Sequence, residues 1–128
     1  MSKLLKKAQL LIKAYLPVIL WAILIFFLSS RQVLPGFEVS LLDFLFKKLA
    51  HMFVFAVLYI FSMRAVRMSF SSKKIYLQLF LPIALVIFYA LTDEIHQSFV
   101  PNRYATLRDV GYDMLGALFV FLKKYKYI

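Results

Sequence analysis

The chain contains no cysteine among its 128 residues. That excludes a disulfide, a thiolate nucleophile and any cysteine-ligated metal site. Acids are also scarce, six against sixteen Lys and Arg, for a formal net charge of +10. No internal repeat or low-complexity segment is visible. Neither His-x-x-x-His nor His-Glu-x-x-His occurs, so the common zinc spacings are missing. What fills the chain is apolar: 63% of residues are hydrophobic and 18% aromatic, with a mean hydropathy of +0.81. A soluble domain is roughly half apolar, so this composition reads as a membrane protein. The length allows one domain, residues 1–128.

The positive charge could suggest nucleic acid. The basic residues, however, sit at the ends of apolar runs, where they hold a membrane protein at anionic lipid headgroups. No surface is left for a nucleic-acid groove or strand. The start, "MSKLLKKAQLLIKAYLPVILWAILIFFLSS", has the basic head and apolar run of a secretion signal. The run is long and "LSSRQ" is a poor small-x-small cleavage site, so it reads as a retained first span.

Uncharged windows cover residues 14–30, 49–63, 75–92 and 114–122. A span needs about 20 residues, so the second and fourth windows must extend backwards through charged sequence. The expected fold is all-α: a membrane bundle of four transmembrane helices at about 14–30, 42–66, 74–98 and 107–124. Four spans put both termini on one side. Eleven basic residues fall on that side and five on the other, which makes the first side cytoplasmic by the positive-inside rule. All six acids and both histidines fall on the opposite, outer side. The chain is expected to be a multi-pass membrane protein with this outer end away from the cytoplasm. Thr106-x-x-Asp109 and Ser40-x-x-Asp43 have capping-box spacing. "VPNR", residues 100–103, has the Pro-Asn turn chemistry needed between the last two helices. Pro17 and Pro82 are expected near the starts of helices one and three, where proline is best tolerated.

Several charged groups lie too deep to be loop polarity. Asp113 is ten residues from Lys123, or about 15 Å along a helix, inside a hydrocarbon core of about 30 Å. A charge at that depth costs about 2.5–3.5 kcal/mol on the lenient insertion scale, so such groups face inwards and pair. Asp109, Asp113 and Gly116 share one face of helix four, Asp93 and Gln97 one face of helix three with Glu94 adjacent, and Lys48, His51 and Phe55 one face of helix two. Three polar faces at one end imply a shared pocket, with Gly116 allowing close backbone approach at its floor. The candidate pocket residues are Lys48, His51, Asp93, Glu94, Gln97, Arg103, Arg108, Asp109 and Asp113. The bland alternative is that these pairs only glue helices together.

Lys48-x-x-His51, then Asp93-Glu94-x-His96-Gln97-x-Phe99-x-Pro101-x-Arg103, then Asp109-x-x-x-Asp113-x-x-Gly116 resembles the VanZ-like membrane protein family. "FLSSRQ", residues 27–32, resembles its Ser-Ser-x-x signature after the first helix. The likeness runs over all four helices. Val54 and Phe55 stand where family members often carry an acid and an aromatic, and Lys47 where some carry Asp. These departures put in doubt a role that needs a carboxylate or phenol on helix two. The resemblance implies a small bacterial membrane protein, in a family named for a protein linked to low-level teicoplanin resistance.

A His with several carboxylates suits general acid–base chemistry, and Arg and Lys suit phosphate. No Ser-His-Asp spacing is present. A zinc site from His51, His96 and carboxylates is conceivable but has no motif behind it, so no metal and no cofactor are expected. The expected function is recognition of a cell-envelope lipid or glycolipid headgroup, with membrane lipids and a lipid-linked ligand as partners. The alternatives are an acid–base enzyme on lipid-linked envelope substrates and a small transporter or flippase component.

Overall fold

The computed structural model describes residues 2–31 and 40–128. Among them are four helices: α1 (Lys3–Ser29), α2 (Ser40–Ser69), α3 (Ile75–Ser98) and α4 (Leu107–Lys124). No strand occurs among the described residues. Three of the helices, α1, α2 and α3, are long and apolar enough to cross a membrane, so the chain is a multi-pass membrane protein. The fourth expected span falls short of that description. α4 has only 18 residues and carries Arg108, Asp109, Asp113, Lys123 and Lys124. Its charge, rather than its length of about 27 Å, is what sets it apart.

α3 and α4 fall where the sequence puts them. α1 starts eleven residues earlier than expected, at Lys3 rather than residue 14. The uncharged window leaves out the lysine-bearing stretch before residue 14, yet Lys, Leu, Ala and Gln are strong helix formers. Ser2 caps the extension, its side chain accepting from the Leu5 N–H at 3.3 Å. Pro17 is therefore well inside α1 rather than near its start. A proline there leaves the carbonyl four residues back without its helical donor. That carbonyl, Lys13 O, instead accepts from Arg64 Nη1 of α2 at 3.4 Å. Pro82 likewise lies inside α3, in its second or third turn. The Ser40-x-x-Asp43 cap lies partly outside the described residues, because nothing is described of the Ser40 side chain.

α2 is the hub. It packs against all three other helices, most extensively against α4. The buried core joins Ile25 of α1, Phe55, Leu58, Tyr59 and Met63 of α2, Val86 and Ala90 of α3, and Ala117 of α4. Polar groups cross-link the helices. Trp21 Nε1 donates to Val54 O at 2.8 Å, and the Tyr89 hydroxyl donates to Ala22 O. Large apolar side chains such as Leu20, Phe27, Phe53, Phe80 and Phe88 face outwards. In water that would be a liability. On a helix apolar all round it is the surface a membrane span offers to lipid.

α2 and α4 approach closely at Gly116. A side chain there would fall on the backbone carbonyl of Met52. That contact fixes the register in which the polar faces of α2 and α4 meet.

Candidate functional site

The end of α1, the start of α2, the end of α3 and the start of α4 meet at one end of the bundle, and the buried charge collects there. Two side-chain contacts, an ion pair and a His–carboxylate hydrogen bond, join α2 to α4 one turn apart. Lys48 Nζ donates to Asp109 Oδ1, and His51 Nδ1 lies 3.0 Å from Asp113 Oδ1. Asp113 is 3% exposed, so His51 satisfies a carboxylate shut away from solvent. The Lys48 ammonium also sits 5.0 Å from the Tyr112 ring centroid and 5.5 Å from that of Phe44, where ring faces attract a cation. On α3, Gln97 Nε2 donates to Asp93 Oδ2 at 2.8 Å and reaches Ser29 Oγ of α1 at 3.4 Å.

Glu94 differs from these. It is 8% exposed, and neither carboxylate oxygen has a hydrogen-bond partner among the described residues. The Thr106 backbone amide, at the N-terminus of α4, approaches it without reaching hydrogen-bonding geometry. A helix start carries partial positive charge, which favours a carboxylate there. The capping box expected at Thr106 is altered in a way that matches. Thr106 is the N-cap, but its hydroxyl donates to Asp109 Oδ2 at 2.9 Å rather than capping a backbone group. Lys48 has recruited the same carboxylate from the other side.

The α3–α4 loop closes the site. Val100 to Arg103 form a turn with Pro101 second, Asn102 third at φ 62°, and Arg103 N donating to Val100 O at 3.2 Å. Pro then Asn at positive φ is type II turn chemistry. The turn folds Arg103 back so that Nη1 lies 3.4 Å from Ser29 O.

Beneath this loop lies a cavity of about 220 Å³. Lys47, Lys48 and His51 of α2 wall one side, Gln97 and Asp109 the other, and Asn102, Arg103 and Tyr104 form the rim. Five of the nine expected pocket residues border it: Lys48, His51, Gln97, Arg103 and Asp109. Asp93, Glu94 and Asp113 lie in the interior behind that wall rather than on it. Asp113 is bonded to His51, which does line the cavity. Arg108 is exposed at the start of α4 and pairs with none of the described residues.

The sequence pattern left out contributors from α1 and the loop. Ser29 joins Gln97 and Arg103. Ser30 Oγ lies 3.1 Å from His96 Nε2, and the His96 ring packs on Phe26 at 4.2 Å. The adjacent serines of "FLSSRQ", which follow the long uncharged part of α1, were the available signal. Lys47, Asn102 and Tyr104 also line the cavity. Lys47 is bonded to Asp43 at 2.7 Å, one turn back on α2. No group of His, Asp and Glu suited to a metal ion occurs among the described residues.

Comparison with curated proteins and with solved structures gives no match. The VanZ/LLP1 family, by contrast, matches residues 13–123. That stretch contains most of α1, all of α2 and α3, nearly all of α4 and every residue of the cavity wall. The chain belongs to the VanZ/LLP1 family.

Proposed function

We propose that the chain is a single four-span domain of the bacterial inner membrane whose polar cavity faces outwards and recognises the headgroup of a cell-envelope lipid or glycolipid. The observation that carries this reading is the charge of the cavity wall. Three cations, Lys47, Lys48 and Arg103, line the cavity beside one carboxylate, Asp109; Lys47 is paired with Asp43 and Lys48 with Asp109, and Arg103 has no carboxylate partner among the described residues. An anionic headgroup, a phosphate above all, is the natural complement, and Arg and Lys are the side chains that hold phosphate. The cavity lies at the end of the bundle, at the depth where headgroups sit.

Three further points support this frame. α4 is about 27 Å long and turns Asp109 and Asp113 towards α2, so it can cross the membrane with its acids paired. The bias of basic residues sets the termini in the cytoplasm. The family's link to teicoplanin resistance agrees with an envelope role. The pocket we assign comprises Lys48, His51, Gln97, Arg103 and Asp109 on the wall, with Asp93, Glu94 and Asp113 supporting them.

A second reading rests on one feature. His51 lines the cavity and gives Nδ1 to Asp113, while its Nε2 has no hydrogen-bond partner among the described residues. A histidine oriented by a buried carboxylate, with its other nitrogen free, is the arrangement of a general base. Native mass spectrometry of the purified protein, followed by incubation with the lipid it retains, separates the two. Headgroup recognition predicts a retained anionic lipid that comes back unchanged. A chemically altered lipid whose formation stops in His51→Ala establishes the enzyme reading, and retention of no lipid rejects both.

A further inference from the structure

The polar cavity has an apolar neighbour. A second cavity of about 220 Å³ lies between the end of α1 and the first half of α2, lined by Ile25 and Leu28 on one side and by Phe46, Ala50 and Val54 on the other. The two are not independent, because Lys47, His51 and Arg103 border both. One space is lined by charge and the next by hydrocarbon, and the same three residues form the boundary between them. From Phe46 to Val54 the apolar cavity follows eight residues of α2, about 12 Å along the axis. Half a hydrocarbon core of about 30 Å is nearly the same depth. The apolar cavity therefore runs from headgroup level towards the bilayer midplane, as a chain of the same leaflet does.

We propose that the two cavities form one site for an intact anionic phospholipid, with its phosphate among Lys47, Lys48 and Arg103 and one acyl chain lying between α1 and α2. The proposal rests on the headgroup reading and adds to it the hydrocarbon half of the ligand and its route, sideways from the bilayer through the α1–α2 cleft. A water-soluble phosphate would leave the apolar half empty. A lipid fills both halves, and its chain exchanges bilayer for protein contacts without meeting water.

The chain has a single tryptophan, and it is well placed to report. Trp21 is one turn from Ile25, and its Nε1 is bonded to Val54 O; both of those residues line the apolar cavity. The test uses the full chain in detergent with phosphatidylglycerol brominated on its acyl chains, and with phosphatidylcholine brominated identically to measure non-specific quenching. Native mass spectrometry of the same samples counts bound lipid. Brominated phosphatidylglycerol should quench Trp21 saturably, at least fivefold more per added lipid than brominated phosphatidylcholine. Ala50→Leu, a substitution at an exposed position that narrows the cleft, should lower both quenching and bound lipid at least fivefold. Arg103→Ala should do the same from the headgroup side. If phosphatidylglycerol is bound but quenches no more than phosphatidylcholine, or if Ala50→Leu changes nothing, the chain lies elsewhere; this inference then fails while headgroup recognition stands. If the protein does not prefer phosphatidylglycerol by mass spectrometry, the headgroup reading fails and takes this one with it. Loss of quenching in Ala50→Leu but not in Arg103→Ala marks a purely apolar lipid site, which also overturns the two-part proposal.

Discussion

Asp113 and Glu94 are both acids buried at the same end of the bundle, yet their surroundings differ. Asp113 has His51 at 3.0 Å, whereas both oxygens of Glu94 are buried without a hydrogen-bond partner among the described residues. Removing one member of a buried pair leaves the other uncompensated. Asp113→Asn is therefore expected to lower stability by about 1–3 kcal/mol, the cost of an unmet buried polar group. Glu94→Gln removes a buried charge that only the partial positive charge at the start of α4 offsets, so its melting temperature should hold or rise. Thermal melts of the two variants in one detergent check the contrast, and a Glu94→Gln melt below that of Asp113→Asn would mean that Glu94 has a structural partner. A residue whose replacement stabilises the fold is retained for something other than the fold. Arg103 was readable as a loop cation, but its approach to Ser29 O was not. That contact depends on the left-handed Asn102 turning the chain back towards α1.

At the scale of helices, the site depends on how closely α4 approaches α2. Gly116 and Gly111 lie on the same helix and predict opposite responses to the same change. At Gly116 an added methyl falls on the Met52 backbone. Gly116→Ala must push the helices apart and weaken the His51–Asp113 and Lys48–Asp109 pairs, at about 1–3 kcal/mol or more, the range for overpacking. At Gly111 nothing lies within 4 Å, so Gly111→Ala should stabilise by about 1 kcal/mol through helix propensity alone. Chemical denaturation of both variants measures the difference, and equal shifts would contradict the close approach. Much of this was legible beforehand. The spacing of Asp109, Asp113 and Gly116, and of Lys48 and His51, placed the facing surfaces, because helical periodicity alone determines which residues share a face. The start of α1 was not legible from charge, since Lys3, Lys6, Lys7 and Lys13 stay helical while their ammonium groups reach outwards. The part of α1 in the site was also hidden. Serine after a long apolar run reads equally well as a plain terminus, and only the packing of α1 against α2 and α3 brings Ser29 to Gln97.

For the whole molecule, the distribution of charge gives the proposed orientation: polar cavity outside, termini inside. Cysteines introduced singly at Asn102 and Ser71, both exposed, should react differently in intact cells. An impermeant thiol reagent is expected to label the first and spare the second, and the reverse pattern would invert the topology. The central claim is that the cavity holds an anionic headgroup rather than serving only as scaffold, and Arg103→Ala tests it most directly. Arg103 sits on the cavity rim in a loop, with one long contact to Ser29 O, so its loss should shift the melting temperature little. Its charge is partly exposed, so its share of binding should be largest at low ionic strength, where screening is weakest. The decisive measurement is bound anionic lipid per protein, determined alongside the melting temperature, for wild type and Arg103→Ala purified at low salt. The predicted result is a variant that melts with the wild type and retains several-fold less lipid. A variant that keeps its full complement of lipid, or loses it only as far as it loses stability, would contradict the account.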